Sequence, residues 1–176
     1  MSDRYGDWMQ TYSGKKFWPL DPRADEIDIE DIAHALSMLC RYGGHSHKFY
    51  SVAEHCCHIH DALPDEFKAW GLLHDASEAY IGDVPRPIKP HLPGYAEIER
   101  RVMQAVCESF GLDDGEPWIV KEYDRRILGD EQRQIMPNPP EPWYHTGAPL
   151  GITLDCWTPD MAKWQFMLRA TSMGLS

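Results

Sequence analysis

The amino-acid sequence predicts an all-α protein that folds as a single helical domain. Several segments place apolar residues three and four positions apart, which is the period of an amphipathic helix. Glycines and prolines separate these segments, and no convincing run of alternating polar and apolar residues indicates strands. The 176 residues suffice for one domain with a normal core. We expect about five to seven helices.

Composition and charge narrow the classes of function. The hydrophobic fraction of 43% and the charged fraction of 26% are typical of a soluble globular protein. The formal net charge of −11 argues against a general nucleic-acid surface, because phosphate backbones need a basic face. It still allows a nucleotide in a locally basic pocket.

Targeting and redox signals favour a cytoplasmic setting. No apolar run is long enough to cross a bilayer, and the first residues carry no apolar signal core. The five cysteines include no C-x-x-C pair, which favours a reducing compartment.

The first 24 residues are predicted to form an irregular arm, because residues 11–22 contain one glycine and two prolines. Two apolar side chains, Trp18 and Leu20, stand within this arm. They would either anchor the arm to the core or line a pocket and contact a planar ring.

Residues 28–40 are predicted to form the first helix, with acidic residues at its start and apolar side chains on one face. Arg41 follows this helix, shortly before a glycine pair. An arginine at the end of a helix is often only a favourable partner of the helix dipole. Anion binding is a real alternative at this position.

A capping box, with Ser51 at the N-cap and Glu54 three residues later, predicts a second helix that runs to about Asp61. His55 lies on the apolar face of this helix. A lone histidine on an apolar face is more often a hydrogen-bonded core residue than a metal ligand. Because a His-Asp pair follows on the next predicted helix, His55 becomes a stronger candidate for a metal ligand. Two further histidines of the helix are expected to be solvated: His58 and His60.

Residues 70–83 organise the chain, because they place four ionisable side chains in an otherwise apolar run. His74 and Asp75 are adjacent and Glu78 follows at helical spacing, so one continuous helix would bring the three within one turn. Asp83 lies beyond a glycine that should end the helix, and it can fold back over that turn. Buried imidazoles and carboxylates are costly unless they are paired or bound to metal, so a metal site is the simplest interpretation.

Residues 84–94 contain four prolines, which should rule out a helix and give a stiff loop. The loop is either a linker across the surface or a lid that carries Arg86 and Lys89 towards phosphate. The elements expected beyond it are helices over 95–110 and 117–135, an irregular proline-rich segment over 137–157 and a last helix that opens at Thr158. The apolar positions of the last helix are Met161, Trp164, Phe166 or Met167, and Leu168.

Two imidazoles and two carboxylates from three predicted helices could form one metal site: His55, His74, Asp75 and Asp124. This donor set suits one divalent transition ion, namely Co, Mn, Zn, Ni or Fe(II). A structural zinc site is the weaker alternative, because its candidate ligands lack the short, regular cysteine spacings of such sites. Those candidates are Cys40, His45, His47, Cys56 and Cys57.

Three runs of residues resemble the HD-domain metal-dependent phosphohydrolases, whose signature is H…HD…D. The runs are Tyr50–His55, His74–Glu78 and Gly82–Lys89, and they look like the 5′-deoxynucleotidase branch of that family. Trp18–Pro22 and Arg41–His45 look like the small phage members, some of which are dATP triphosphohydrolases. The resemblance covers about residues 15–136. It implies an HD-domain helical bundle, with residues 1–176 as a single domain.

The resemblance also implies a role for each candidate residue. The four metal candidates would hold the ion. Glu78 would orient or deprotonate the attacking water, and Asp83 would protonate the leaving oxygen or hold a water that does so. The remaining implied roles are phosphate binding by Arg41, Lys89 and Arg86, and contact with the base by Trp18 and Leu20.

The fourth metal ligand has a competitor in the same predicted helix. Asp124 is preferred, because the family's last aspartate follows a small or aromatic residue near the start of such a helix. Asp130 lies more than one turn further on and should point elsewhere. Glu131 is on nearly the same face as Asp124 and could support the site by a hydrogen bond to Arg41 or to a ligand.

The first function hypothesis is therefore a deoxynucleotide phosphohydrolase, with a phage-type dATP triphosphohydrolase as first choice. A 5′-deoxynucleotidase acting on dNMPs is the alternative within the same chemistry, and a non-catalytic nucleotide-binding HD protein is the alternative of another class. The expected partner is a small deoxynucleotide, with no nucleic acid and no membrane. We expect a homo-oligomer in the cytoplasm of a bacterium or of a phage-infected host.

Overall fold

The structure is a computed structural model in which residues 4–143 and 147–176 are described. It is mostly helical, so the all-α prediction is confirmed. Within the described ranges, no helix combines the length and apolarity needed to cross a bilayer. The seven α-helices of these ranges are α1 (Ile29–Met38), α2 (Val52–Ala62), α3 (Lys68–Leu73), α4 (Glu78–Ile81), α5 (Tyr95–Phe110), α6 (Trp118–Ile135) and α7 (Pro159–Ser172).

Short elements lie between the helices. An antiparallel pair of two-residue strands, β1 (Met9–Gln10) and β2 (Lys16–Phe17), lies in the arm that was predicted to be irregular. Strands this short cannot show the alternation of polar and apolar residues that identifies a strand in a sequence. Single 3₁₀ turns occur at Ala24–Glu26, Arg41–Gly44, Asp65–Phe67 and Lys89–His91.

Helix α2 is at the centre of the bundle, because its nine consecutive residues Val52–His60 are buried. Helices α1, α3, α6 and α7 pack around it. A helix that is covered on all sides has no solvated face. The prediction that His58 and His60 are solvated is therefore wrong, since their exposed fractions are only 8% and 6%.

The prediction of one continuous helix through the central stretch is also wrong. Helix α3 ends at Leu73 and α4 begins at Glu78, with tight turns between them. The Glu78 N–H donates to the Asp75 carbonyl at 2.9 Å, which joins residues three apart rather than four. His74 Nδ1 lies 2.8 Å from the Gly71 carbonyl, the group that would accept the Asp75 N–H in a regular helix. This bond from ring to backbone competes with the helical pattern.

The proline-rich loop and the irregular segment follow their predictions with one exception. A 3₁₀ turn forms at Lys89–His91, so the prediction that residues 84–94 exclude any helix is wrong for that turn. Pro90 stands at its start, where no backbone N–H is needed. The described part of 137–157 contains no helix or strand, as predicted. Residues 144–146 of that segment, and residues 1–3 of the arm, lie outside the described residues.

Helix α7 turns a different face inward from the one its apolar residues indicate. Phe166 is buried, but Trp164 and Leu168 are more than half exposed, at 58% and 52%. The other inward-facing residues are Ala162 and Ala170, each four residues from Phe166. Small side chains on this face allow α7 to lie close against α1 and α2.

Glu54 ties the segment before α7 to the central helix. Ser51 Oγ accepts the Glu54 N–H at 3.0 Å, which is the first half of the predicted capping box. The fully buried Glu54 carboxylate does not complete that box. It accepts instead the backbone N–H groups of Asp155, Cys156 and Trp157, at 3.1, 2.8 and 2.7 Å.

We expect Glu54→Gln to lower the free energy of unfolding by about 2 kcal/mol, because an amide places a donor against backbone N–H groups that need an acceptor. Urea unfolding followed by circular dichroism measures this change. The matched control is Glu66→Gln at an exposed position, which should change stability by less than about 0.5 kcal/mol. Equal effects of the two substitutions would contradict the anchoring role.

Candidate metal centre

Three predicted metal ligands lie together between the central helix and the interrupted motif. His55 comes from α2, whereas His74 and Asp75 come from the turns between α3 and α4. One ligand atom of each lies within 4.8 Å of the other two. His74 Nε2 is 3.2 Å from His55 Nε2 and 3.3 Å from Asp75 Oδ2. This group could hold a metal ion.

The fourth predicted ligand stands next to this group. Asp124, on α6, places Oδ1 3.2 Å from His55 Nε2, although it is not one of the three residues whose ligand atoms all lie within 4.8 Å. Asp130 is engaged elsewhere, because its carboxylate accepts the Gly151 N–H and pairs with Arg133 at 2.7 Å. Of the two aspartates, Asp124 is therefore the one beside the imidazoles.

Hydrogen bonds on the outer side of each imidazole fix which ring nitrogen faces inward. His55 Nδ1 lies 2.8 Å from a carboxylate oxygen of Glu131, and His74 Nδ1 lies 2.8 Å from the Gly71 carbonyl. Both partners can only accept, so each Nδ1 carries a proton, and a ring in its neutral form turns a lone pair at Nε2 towards the other ring. Two lone pairs at 3.2 Å repel unless a cation or a proton lies between them.

The spacing of the donors also fits an ion. Two nitrogens bound at about 2.1 Å and at right angles on one ion are about 3.0 Å apart. The Nε2 atoms of His55 and His74 are 3.2 Å apart. Two imidazoles beside a carboxylate are, moreover, a donor set that divalent transition metals prefer.

The charges of the group favour a positive charge between its side chains. Burial lowers the pKa of His74, but the Asp75 carboxylate and Cys56 together outweigh burial and raise that pKa well above its ordinary value. Burial raises the pKa of the Asp75 carboxyl. The His74 imidazole opposes this effect, and the pKa of this carboxyl lies below its ordinary value. A proton held by His74 and a bound cation would therefore compete for the same place.

Glu131 connects the imidazoles to the neighbouring arginine. It is fully buried on α6 and contacts His55 at 2.8 Å and Arg41 Nη2 at 3.4 Å. The Tyr42 hydroxyl donates a hydrogen bond to the same carboxylate. Burial raises the pKa of Glu131, but the Arg41 guanidinium and His55 lower it below its ordinary value. Glu131 is therefore an anion that orients three side chains.

A cavity of about 780 Å³ opens beside the centre. Asp75 and Asp124 lie in its wall, so a ligand in the cavity would reach the candidate ion. Arg41 is held at 3.5 Å from Asp75, and Lys89 Nζ is 2.8 Å from Glu99. Five of the residues predicted to bind phosphate or to transfer protons line this cavity: Arg41, Arg86, Lys89, Glu78 and Asp83.

The two carboxyl groups predicted to transfer protons are both perturbed. Burial, together with the negative charges of Asp75 and Asp83, raises the pKa of Glu78 to about 9. Glu78 Oε2 is buried and has no hydrogen-bond partner within the part of the chain that is described. Burial also raises the pKa of Asp83. Raised pKa values of this kind are frequent among acid–base groups of active sites.

The two residues predicted to contact the base do not line either cavity next to the centre. The Trp18 ring lies 4.3 Å from the Arg4 guanidinium, and the neighbouring Phe17 is buried against Tyr80. The Leu20 side chain packs near Gly6 in the same arm. These contacts agree with the alternative that the arm is anchored to the core. A second cavity, of about 560 Å³, shares Asp75, Arg86 and Asp124 with the first.

Sequence reasoning missed Tyr42 as a residue of the site, although the glycine pair after it indicated an unusual backbone. It also missed Trp143, which lines the larger cavity from a segment without periodicity. The alternative zinc site gains no support, because its cysteines and histidines form no group of three close ligand atoms among the described residues.

These observations define an all-α protein with a buried candidate cation site made from two imidazoles and a carboxylate. No protein-family model matches the chain. The chain is 39% identical over 128 residues to the Escherichia coli K12 protein named "Uncharacterized protein YfdR", which covers 73% of this chain and 72% of that protein. An uncharacterized protein of Rhodobacter capsulatus is 38% identical over 115 residues, covering 60% of this chain and 59% of its own length. The chain belongs to the same family as YfdR.

We expect Asp75→Ala to weaken the binding of Co²⁺ by more than about 100-fold, because changing even a residue that only supports a metal ligand costs 10–100-fold. Isothermal titration calorimetry of the metal-free protein measures the affinity. Asp65→Ala, which removes a carboxylate at an exposed position, is the matched control and should bind Co²⁺ as the wild type does. Unaltered Co²⁺ affinity in Asp75→Ala would remove Asp75 from the site.

Glu131→Gln should weaken Co²⁺ binding by about 10–100-fold, because the amide no longer supplies the charge that orients His55. The same titration measures it, and circular dichroism checks that the helices are retained. Glu122→Gln changes a partly exposed carboxylate of the same helix and should leave the affinity unchanged. If both variants bound Co²⁺ like the wild type, Glu131 would have no supporting role.

Proposed function

We propose that the chain is a metal-dependent phosphohydrolase of the HD-domain type that acts on deoxynucleotides. The observation that carries the proposal is the approach of two inward-facing Nε2 atoms, those of His55 and His74, to 3.2 Å beside carboxylates. The same residues are the H and HD of the signature that the sequence resembles. Two carboxyl groups, Glu78 and Asp83, and three cationic side chains around one adjoining cavity support hydrolysis of a phosphate compound.

The metal proposed for the centre is a divalent transition ion, either Co, Mn, Zn, Ni or Fe(II). His55, His74 and Asp75 would hold it, with Asp124 as the fourth ligand. When bound, such an ion lowers the pKa of a water molecule and polarises a phosphoryl oxygen. Glu131 would keep the His55 imidazole in the orientation that the ion requires.

Two carboxyl groups would move protons in the proposed reaction. Glu78 would orient the attacking water or accept its proton, and Asp83 would protonate the leaving oxygen or hold a water that does so. Burial raises the pKa of both groups above the ordinary carboxyl value, a perturbation that is frequent among the acid–base groups of active sites. Both line the cavity that Asp75 and Asp124 border.

Cationic side chains would bind the phosphate groups and neutralise charge that develops on the phosphoryl oxygens. Arg41 is the most fixed of them, because the carboxylates of Asp75 and Glu131 hold its guanidinium. Lys89 and Arg86 line the same cavity from the proline-rich loop. This placement favours the lid interpretation of that loop over the interpretation as a surface linker.

The first choice of substrate is dATP, as in a phage-type dATP triphosphohydrolase. A second cavity, which shares Asp75, Arg86 and Asp124 with the first, would offer additional room for a triphosphate. A 5′-deoxynucleotidase acting on dNMPs would use the same metal and the same cations. A non-catalytic nucleotide-binding protein is the remaining alternative. The homo-oligomer and the cytoplasmic setting stay predictions.

We expect purified protein with Co²⁺ to release phosphate, pyrophosphate or triphosphate from at least one dNTP, with dATP turned over fastest. Mass spectrometry of products from every dNTP and dNMP measures this. Glu78→Gln should lower kcat at least about 100-fold, because the amide cannot transfer the proton. It should retain Co²⁺ affinity, because Glu78 is not one of the proposed metal ligands.

The outcomes of this assay separate the alternatives. Turnover of dNMPs without turnover of any dNTP would establish the 5′-deoxynucleotidase in place of the triphosphohydrolase. Nucleotide binding without any product, in protein that binds Co²⁺, would contradict the enzyme and favour the non-catalytic alternative. Full activity in Glu78→Gln would remove that residue from the chemistry.

A further inference from the structure

The larger cavity beside the candidate metal centre is lined by two chemically different sets of side chains. One set comprises the cations and carboxyl groups that the proposed reaction uses. The other set is apolar and aromatic: Tyr42, Pro85, Leu128, Met136, Pro142 and Trp143. A ligand that fills the cavity therefore needs a charged part and a flat or apolar part.

Tyr42 belongs to the aromatic set and is held in place beside the charged set. Its φ of 59° lies in the left-handed region, which residues other than glycine seldom adopt. The hydroxyl donates to the buried Glu131 carboxylate, and the ring lies 5.5 Å from the Arg41 guanidinium. The ring is therefore anchored to residues of the candidate metal centre.

Trp143 is the second aromatic side chain of the cavity lining. Its ring centroid lies 5.7 Å from that of Tyr42, with an interplanar angle of 44°. The two rings are tilted rather than stacked, so neither one covers the face of the other. Trp143 is half-buried and lines the cavity together with the adjacent Pro142. Its indole ring is available to a planar ligand that enters from the cavity.

We propose that Tyr42 and Trp143 form the surface on which the base of the nucleotide stacks. The inference rests on the proposed function and gives the base subsite to these residues rather than to Trp18 and Leu20. The Arg4 guanidinium lies over the Trp18 ring, and neither arm residue lines the cavity. Every nucleobase has a π-face, so stacking here selects for a base but depends little on which one.

The test compares ligands with and without a base in full-length protein loaded with Co²⁺. We use dATP and dAMP as base-bearing probes, and inorganic triphosphate and 2-deoxyribose 5-phosphate as their base-free counterparts. Calorimetry is done in the Glu78→Gln background so that the probes are not consumed. Trp143→Ala should weaken binding of the base-bearing probes by about five- to 100-fold, the usual loss for one base–aromatic stack. Binding of the base-free probes should change less than about twofold.

Three further variants test whether the loss of affinity comes from the aromatic ring of Trp143. Trp143→Phe should restore most of the lost affinity, because it keeps an aromatic face. Trp164→Ala removes an exposed indole on α7 and is the matched control, with no expected change for any probe. Trp18→Ala tests the competing subsite. A loss of affinity for dATP and dAMP in Trp18→Ala, with none in Trp143→Ala, would overturn the inference.

Failure of this inference differs from failure of the proposed function. If the Glu78→Gln protein bound dATP or dAMP and Trp143→Ala did not weaken that binding, the stacking surface would be overturned while the phosphohydrolase proposal stood. If none of the four probes bound to Co²⁺-loaded protein, both proposals would be overturned. Equal losses for base-bearing and base-free probes in Trp143→Ala would also overturn the inference, because Trp143 would then contact phosphate or sugar.

Discussion

The close approach of two imidazoles is the constraint on which the rest of the structure depends. The Nε2 atoms of His55 and His74 are 3.2 Å apart, and hydrogen bonds at both Nδ1 atoms hold each ring with Nε2 facing inward. Each ring is held by an element whose own geometry is unusual. His55 lies on a helix that is buried on every side, and His74 lies where a helix is interrupted by tight turns. The interruption brings Asp75 beside both rings without a regular helix between α3 and α4.

A single buried carboxylate extends this arrangement to the ligand cavity. Glu131 contacts His55, Arg41 and Tyr42, which come from two separate parts of the chain. Burying an anion is costly unless charged or polar partners satisfy it, and here every partner also faces the candidate site. The position of the guanidinium, the strained backbone at Tyr42 and the orientation of one imidazole thus depend on the same group. A change in Glu131 should therefore affect metal binding and ligand binding together.

The sequence predicted the helices well because the signals for a helix come from neighbouring residues. It failed where contacts between distant parts of the chain determine the local structure. Apolar period, a serine N-cap and terminal glycines are properties of neighbouring residues, and they gave the bounds of α1, α2, α5 and α6 within one or two residues. The break after Leu73 depends on a ring-to-backbone bond, and the inward face of α7 depends on small residues that pack against other helices. The supporting role of Glu131 was predicted, because this residue lies on nearly the same helix face as Asp124, and its contact with Arg41 bears that out. Trp143 was not predicted, since no pattern tells which irregular segment covers a cavity.

The most direct test of the central claim is anomalous diffraction from a crystal of the full chain soaked in Mn²⁺, with data collected at the manganese absorption edge. The account predicts one strong anomalous peak within bonding distance of His55 Nε2, His74 Nε2 and an Asp75 carboxylate oxygen. A crystal with full-strength protein density but no anomalous peak among these atoms, or with manganese bound only elsewhere, would contradict it.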